Sequence, residues 1–237
     1  DFLTMLTEGW AMHAKEVWLP INELGDREGL KFEDGSISMP QEFKDAYRKG
    51  IDEGWLSTSC KPEHGGMGVP TFFQAVTWAE FGTSACMALS VLPALSIGVY
   101  EVLAANGRQD LIDYFASNLA SGEWAGTMCL TEPHAGTDLG IITTRAEPED
   151  DGTYRISGTK IFITYGEHDM AENIVHLVLA KAPGGPEGTK GISLFLVPKY
   201  LPAEWESGGV EGISHDLVSE HNGVTCSGSE EKMGLHA

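Results

Sequence analysis

The run Trp124-Ala125-Gly126-Thr127-Met128-Cys129-Leu130-Thr131 divides this 237-residue chain. Large apolar residues alternate in it with small or polar ones, the two-residue period of a half-buried strand. Upstream the apolar period is that of a helix. Leu3, Leu6, Trp10, Ala14 and Val17 fall at three- and four-residue steps, and Pro20 closes that stripe. A loop rich in Gly, Asp and Glu follows to Met39. Pro40 then opens a second helix in which Phe43, Tyr47, Ile51 and Trp55 recur every four residues. Beyond the breaker-rich Pro62–Pro70 loop, helical patterns resume over Thr71–Phe81 and the apolar stretch behind it. A last helix runs from Arg108 to Leu119 and stops near Ser121-Gly122. Downstream, short strands read at Ile141–Ala146, Thr153–Ser157, Lys160–Thr164, Ile174–Ala180, Ile192–Val197 and Val224–Ser227. Asp150-Asp151-Gly152 is a hairpin turn signal between the first two. Many short strands with glycine-rich turns point to an antiparallel β-barrel or sandwich. The predicted class is α+β: a helical domain over residues 1–122, then a β domain over residues 123–237.

Composition narrows the function. Hydrophobic residues make up 42% and charged residues 21%, which excludes a disordered chain and a small disulfide scaffold. The formal charge of −20 repels phosphate backbones and anionic headgroups, so neither nucleic acid nor an acidic membrane surface is an expected partner. Cys60, Cys86, Cys129 and Cys226 are scattered without a C-x-x-C pair, as suits a reducing compartment. No basic, apolar leader is visible at Asp1. Phe81–Tyr100 carries no charge and has the length of a bilayer span. Gly82, Ser84, Ser90, Pro93, Ser96 and Gly98 interrupt it, so it reads as a buried helix of a soluble core.

No nucleophile elbow, Walker loop or strand-to-helix G-x-G-x-x-G is present. Glu167-His168-Asp169 with Glu172 reads as a solvated polar loop rather than a metal site. The informative stretch is Leu130-Thr131-Glu132-Pro133-His134-Ala135-Gly136-Thr137-Asp138. Pro133 restricts the backbone, Gly136 removes bulk, and Thr131 and Thr137 add hydroxyls, so backbone amides can approach an anion closely. From the residues alone it reads either as such a donor nest or as an ordinary turn between strands.

The run Cys129–Asp138 resembles the signature of flavin-dependent acyl-CoA dehydrogenases. Gly158-Thr159-Lys160-Ile161-Phe162-Ile163-Thr164-Tyr165-Gly166 is similar to their second flavin-contacting strand. Pro62-Glu63-His64-Gly65-Gly66-Met67-Gly68 resembles the loop of their N-terminal helical domain, and Glu231-Lys232-Met233-Gly234-Leu235 the segment that ends their central β domain. The resemblance implies α,β-dehydrogenation of an acyl-CoA thioester to a trans-2-enoyl-CoA, with FAD taking the hydride at N5. It implies flavin contacts at Met128, Cys129, Leu130, Thr131, Gly136, Thr137, Phe162, Ile163 and Thr164. In that match Thr131 meets the pyrimidine edge, Thr164 faces N5, Phe162 covers one ring face, and Thr137 also borders the acyl-CoA. Read as plain strand residues, Phe162 is a core aromatic and Thr164 a surface threonine.

Met128, His134, Thr137, Phe162 and Tyr165 depart from the commoner residues of the pattern, Tyr165 standing where Asn is usual. These resemble subgroup variation, and the insertion-rich Lys199–Asn222 stretch with the run Gly166-Glu167-His168-Asp169 resembles the larger bacterial dehydrogenases, including those for methylmercaptopropionyl-CoA and longer acyl-CoAs. The resemblance implies a C-terminal four-helix domain beyond these residues, which in this subgroup supplies the catalytic glutamate, so no residue here is assigned as the base. The implied partners are an acyl-CoA, an electron-transfer flavoprotein and further copies in a homodimer or homotetramer, with no membrane. The implied location is the bacterial cytoplasm, or the mitochondrial matrix in a eukaryote. The rival readings are an acyl-CoA oxidase, using oxygen, and a non-catalytic flavin- or acyl-CoA-binding subunit of a heteromer.

Overall fold

The computed structural model describes residues 1–202, 218–232 and 235–236. The middle of the Lys199–Asn222 stretch and the Met233-Gly234 pair lie outside these residues. The helical half comprises α1 (Phe2–His13), α2 (Asn22–Glu28), a hairpin of β1 (Lys31–Glu33) and β2 (Ser36–Ser38), α3 (Gln41–Asp52), α4 (Thr71–Thr77), α5 (Met87–Asn106) and α6 (Gln109–Ser121). The stripe of α1 continues through a π-helical turn at Ala14–Trp18, which carries Trp10, Ala14 and Trp18 into one core. Trp78 stacks on Trp10 there with ring centroids 4.7 Å apart. On α3, Phe43, Ala46 and Tyr47 are buried, as their spacing requires. The stretch read as a loop before Met39 instead holds α2 and the β1–β2 hairpin. Asp34 and Gly35 turn that hairpin with positive φ, and Ile37 is its buried residue.

Helix α5 is long and apolar enough to cross a membrane. Its Leu89, Leu92, Val99 and Leu103 are nonetheless buried among α6, β3 and the aromatic core. Pro93 lies within it, also buried. The last helix ends at Gly122, whose left-handed φ of 89° turns the chain into β3. Tyr47 Oη donates to the Gly122 carbonyl at 2.8 Å, fixing that turn to α3.

The β half is built on a five-stranded sheet of β3 (Trp124–Cys129), β4 (Arg145–Pro148), β5 (Tyr154–Ser157), β6 (Asn173–Lys181) and β7 (Ile192–Pro198). Strand β6 is central, flanked by β3 and β7, with β4 joining at its far end. The helical-then-sheet order matches the reading of the sequence. The strand directions differ from the antiparallel expectation, because β3 and β4 both run parallel to β6. The chain leaves β3, makes the β4–β5 hairpin, and returns through a long crossover that delivers β6 in the direction of β3. Both strands are buried almost throughout, as parallel strands with a covered face must be. Two short pairs follow, β8 (Tyr200–Pro202) with β9 (Val218–His221) and β10 (Glu231–Lys232) with β11 (Leu235–His236).

Two expected strands do not form. Val224–Ser227 is irregular. Lys160–Thr164 is a loop and turn, because Phe162 at φ 56° leaves the extended region.

The helix-to-sheet contact is close at Gly126. Its N–H donates to Ser96 Oγ at 2.9 Å, and a Cβ there would sit 2.7 Å from Val99 Cβ. Gly126→Ala should therefore cost about 1–3 kcal/mol by overpacking β3 against α5. Urea unfolding should show a lower midpoint at unchanged slope.

Candidate flavin-edge site

Strand β3 delivers the first half of the site. Its alternation buries Thr127 and Cys129 and turns Met128 outward, 37% exposed. The Cys129 thiol therefore points inward, 3.7 Å from His176 Nδ1, and only its backbone is on offer to a ligand. Leu130 and Thr131 are half-buried. The loop then closes on itself, since Glu132 and Ala135 exchange backbone hydrogen bonds of 2.9 and 3.0 Å. Gly136 and Thr137 follow on the exposed side of this closure, and open space surrounds the position a Gly136 Cβ would take.

The second half comes from Lys160–Gly166. The Ile161 N–H donates to the Thr131 carbonyl at 2.9 Å, and Lys160 Nζ donates to the Leu130 carbonyl at 3.1 Å. These bonds lay the two segments side by side, although the second is no strand. Phe162 is 41% exposed, while Ile163 and Thr164 are half-buried. A turn closes from Ile163 to Gly166, whose N–H donates to the Ile163 carbonyl at 2.9 Å, with Tyr165 at φ 54° inside it. The chemistry on this face suits a planar aromatic ring with polar edges: hydroxyls, free space beside Gly136, and the apolar surfaces of Met128 and Phe162. An isoalloxazine has those features.

Sequence reasoning missed the residue that holds the halves together. Glu132 is almost fully buried and accepts five hydrogen bonds. Thr143 gives its N–H at 2.7 Å and its hydroxyl at 2.9 Å. Thr144 gives its N–H at 3.0 Å and its hydroxyl at 2.5 Å, and Lys160 Nζ stands at 2.9 Å. Burial alone would raise the carboxyl pKa, but these donors together hold it well below the usual range. The only signal in the sequence was an acid directly after an uncharged strand.

The loop read as solvated is only partly so: Asp169 and Glu172 are exposed, while the residues before Asp169 turn inward. His168 is 3% exposed, and Glu167 pairs with Lys199 at 2.5 Å. Asp169 reaches the helical half, accepting from Lys44 Nζ and from the Met39 N–H. His176 Nδ1 lies 2.7 Å from Thr127 Oγ1, while the Nε2 atoms of His168 and His176 are buried without protein partners. Desolvation, aided by the Lys199 charge, lowers the pKa of His168 to about 3 and of His176 to about 4. Among the described residues no cluster of three metal-ligating side chains exists.

Beside the second segment lies a cavity of about 530 Å³, within the range of small-molecule sites. Helix α2 forms its polar rim with Glu23, Asp26 and Arg27. Met39, Phe43, Met87 and Ala88 are among its apolar lining, and Thr164 and Tyr165 complete it.

Comparison with known proteins follows the same division of the chain. Residues 15–123 match the family model described as acyl-CoA dehydrogenase, N-terminal domain, and residues 127–237 the one described as acyl-CoA dehydrogenase, middle domain. A 3-methylmercaptopropionyl-CoA dehydrogenase of Ruegeria pomeroyi is 45% identical over 94% of this chain and 36% of its own length. A butyryl-CoA dehydrogenase of Syntrophomonas wolfei is 36% identical over 94% of this chain and 35% of its own. The chain thus spans about a third of the length of these curated relatives. The solved Bacillus anthracis acyl-CoA dehydrogenase complexed with FAD shares the fold, with a TM-score of 0.66 at 22% identity over 84% of this chain and 31% of that one.

The buried acid–base groups set a pH dependence. His168 and His176 titrate, when folded, below the ordinary imidazole value of about 6.5, so the unfolded chain takes protons first. Their stabilisation is complete above about pH 6.5 and is lost as pH falls toward 4 and 3. Glu132 acts in the same direction below about 4.5, the ordinary value of a glutamate carboxyl. Urea midpoints measured across this range should fall with acid. His176→Gln should flatten the slope between pH 6.5 and 4, and Glu132→Gln the slope below 4.5.

Proposed function

Because the chain belongs to the acyl-CoA dehydrogenase family, we propose that it forms the N-terminal and middle parts of a flavoenzyme that α,β-dehydrogenates an acyl-CoA to a trans-2-enoyl-CoA. One observation carries this reading: the Thr131 loop and the Phe162–Thr164 turn lie side by side, next to a cavity that Thr164 helps to line. FAD, when bound, supplies the acceptor for the β-hydride. Thr131 and Thr164 offer hydroxyls to the ring edges, and the outward faces of Met128 and Phe162 give it apolar cover. Gly136 and Thr137 sit where a phosphate group or the acyl-CoA needs close backbone approach. Glu132 is buried and fully engaged, which leaves it unavailable as the base that removes the α-proton. That base is a glutamate of the C-terminal helical domain of the whole enzyme.

The cavity takes the acyl group, with Met39, Phe43, Met87 and Ala88 against its apolar chain and the charged rim of α2 toward solvent. The relatives from R. pomeroyi and S. wolfei are named for short acyl groups, and a short acyl-CoA is the substrate class proposed here. Electrons pass to an electron-transfer flavoprotein. The whole enzyme is a homodimer or homotetramer of the bacterial cytoplasm, or of the mitochondrial matrix in a eukaryote.

The full-length protein should carry a flavin absorption band that butanoyl-CoA or methylmercaptopropionyl-CoA bleaches without oxygen. A band that no acyl-CoA bleaches would refute the reading, and peroxide release in air would mark an oxidase. Thr131→Val should weaken FAD retention roughly tenfold, the scale of one lost hydrogen bond to a buried polar group. Flavin fluorescence after dialysis measures it.

A further inference from the structure

Tyr165 occupies a position that ordinarily excludes it. It is the third residue of the Ile163–Gly166 turn, at φ 54°, where glycine or asparagine is favoured and a bulky side chain is an outlier. Its conformation is held from outside the turn. The phenol Oη donates to the Ala88 carbonyl of α5 at 2.7 Å, and the ring meets His168 edge-on at 5.6 Å. Ala88 and Tyr165 both line the 530 Å³ cavity. All other lining residues except Thr164 come from the helical half, so Thr164 and Tyr165 form the wall on the sheet side. Strain that is held in place against a cavity is a mark of function.

We propose that Tyr165 is the specificity-determining wall of the acyl cavity: its ring limits the length of acyl group admitted, and its hydroxyl bond to α5 fixes that wall and the neighbouring Thr164. The proposal rests on the acyl-CoA reading above and adds to it the residue that selects among acyl-CoAs. A side chain that merely filled the turn would sit there without strain as asparagine. A ring pinned across to the opposite half sets a distance, and the distance between facing walls decides which chain fits.

The test uses the full-length flavoenzyme with butanoyl-, octanoyl- and dodecanoyl-CoA, reading kcat/KM and the calorimetric Kd of the matching enoyl-CoA products. Tyr165→Asn suits the left-handed turn and removes the ring. It should raise the ratio of octanoyl to butanoyl about tenfold in both kcat/KM and affinity, the effect expected when an apolar pocket gains room for extra methylenes. Tyr165→Phe keeps the ring but frees it from α5, so its ratio should rise slightly and stay well below that of Tyr165→Asn. An unchanged ratio in Tyr165→Asn with its flavin band intact overturns the proposal, as does a Tyr165→Phe ratio equal to that of Tyr165→Asn. Tyr165→Gly also suits the left-handed turn and removes the ring, and it decides the matter if Tyr165→Asn loses its flavin. The ratio should then rise, and an unchanged ratio overturns the proposal. An unsubstituted enzyme whose flavin no acyl-CoA reduces overturns the functional reading and this one with it.

Discussion

The carboxylate of Glu132 is the constraint on which the site depends. It is taken out of water, and an unpaired charge there would be prohibitive. Two other parts of the chain therefore have to meet it just beyond the end of β3: the Thr143-Thr144 approach to β4, and Lys160 on the second segment. Each donor ends up where the carboxylate needs it, and the neighbouring candidate site residues are carried along. Thr131 is its immediate neighbour, and Phe162 and Thr164 follow Lys160 by a few residues. The geometry of the open face is thus set from behind, by a buried group fully engaged with its donors. This agrees with the general need for a binding constellation to be locked by a surrounding shell.

The helical and sheet halves are joined by polar contacts at several heights. Tyr47 bonds to Gly122, Ser96 to Gly126, Asp169 to Lys44 and Met39, and Tyr165 to Ala88. Arg48 on α3 adds a bond to Glu123 at the start of β3. The buried ones, Tyr47 to Gly122 and Ser96 to Gly126, have strict geometry, so they specify one relative placement where apolar packing alone would tolerate several. The cavity lies across this junction. Its walls belong to opposite halves, and its width follows from how these bonds seat one half on the other.

Much of the fold is legible in local pattern. The three- and four-residue steps of α1 and α3 and the alternation of β3 follow directly from which faces are buried. Helix α2 was not legible, because it is short and polar and its existence depends on tertiary packing. A Cβ at Gly25 would lie 2.4 Å from the Phe43 ring, so α2 forms where α3 holds it. Lys160–Thr164 has the alternation of a strand, but a positive φ at Phe162 overrides it, and no pattern of residue types announces that. The pairing of the Thr131 and Thr164 segments came from resemblance, since residues so far apart in sequence give no local signal of contact. Glu132 escaped for the same reason: its partners lie 11, 12 and 28 residues away. Parallel β3 and β6 also escaped, because strand patterns reveal faces and not directions.

That parallel pairing bears on how the molecule is made. Strand β3 emerges from the ribosome long before β6, and its sheet partner is available only after the whole Thr131–Glu172 crossover has been synthesised. A nascent chain at that stage has the helices and the locally paired β4–β5 hairpin, but β3 has both edges unpaired and only α5 and α6 to cover it. Such non-local pairing is slow, because the loop entropy is lost before the contacts reward it. The interval before β6 arrives is when this polypeptide most needs a chaperone, and the Trp124–Cys129 edge is where misassembly between chains would begin.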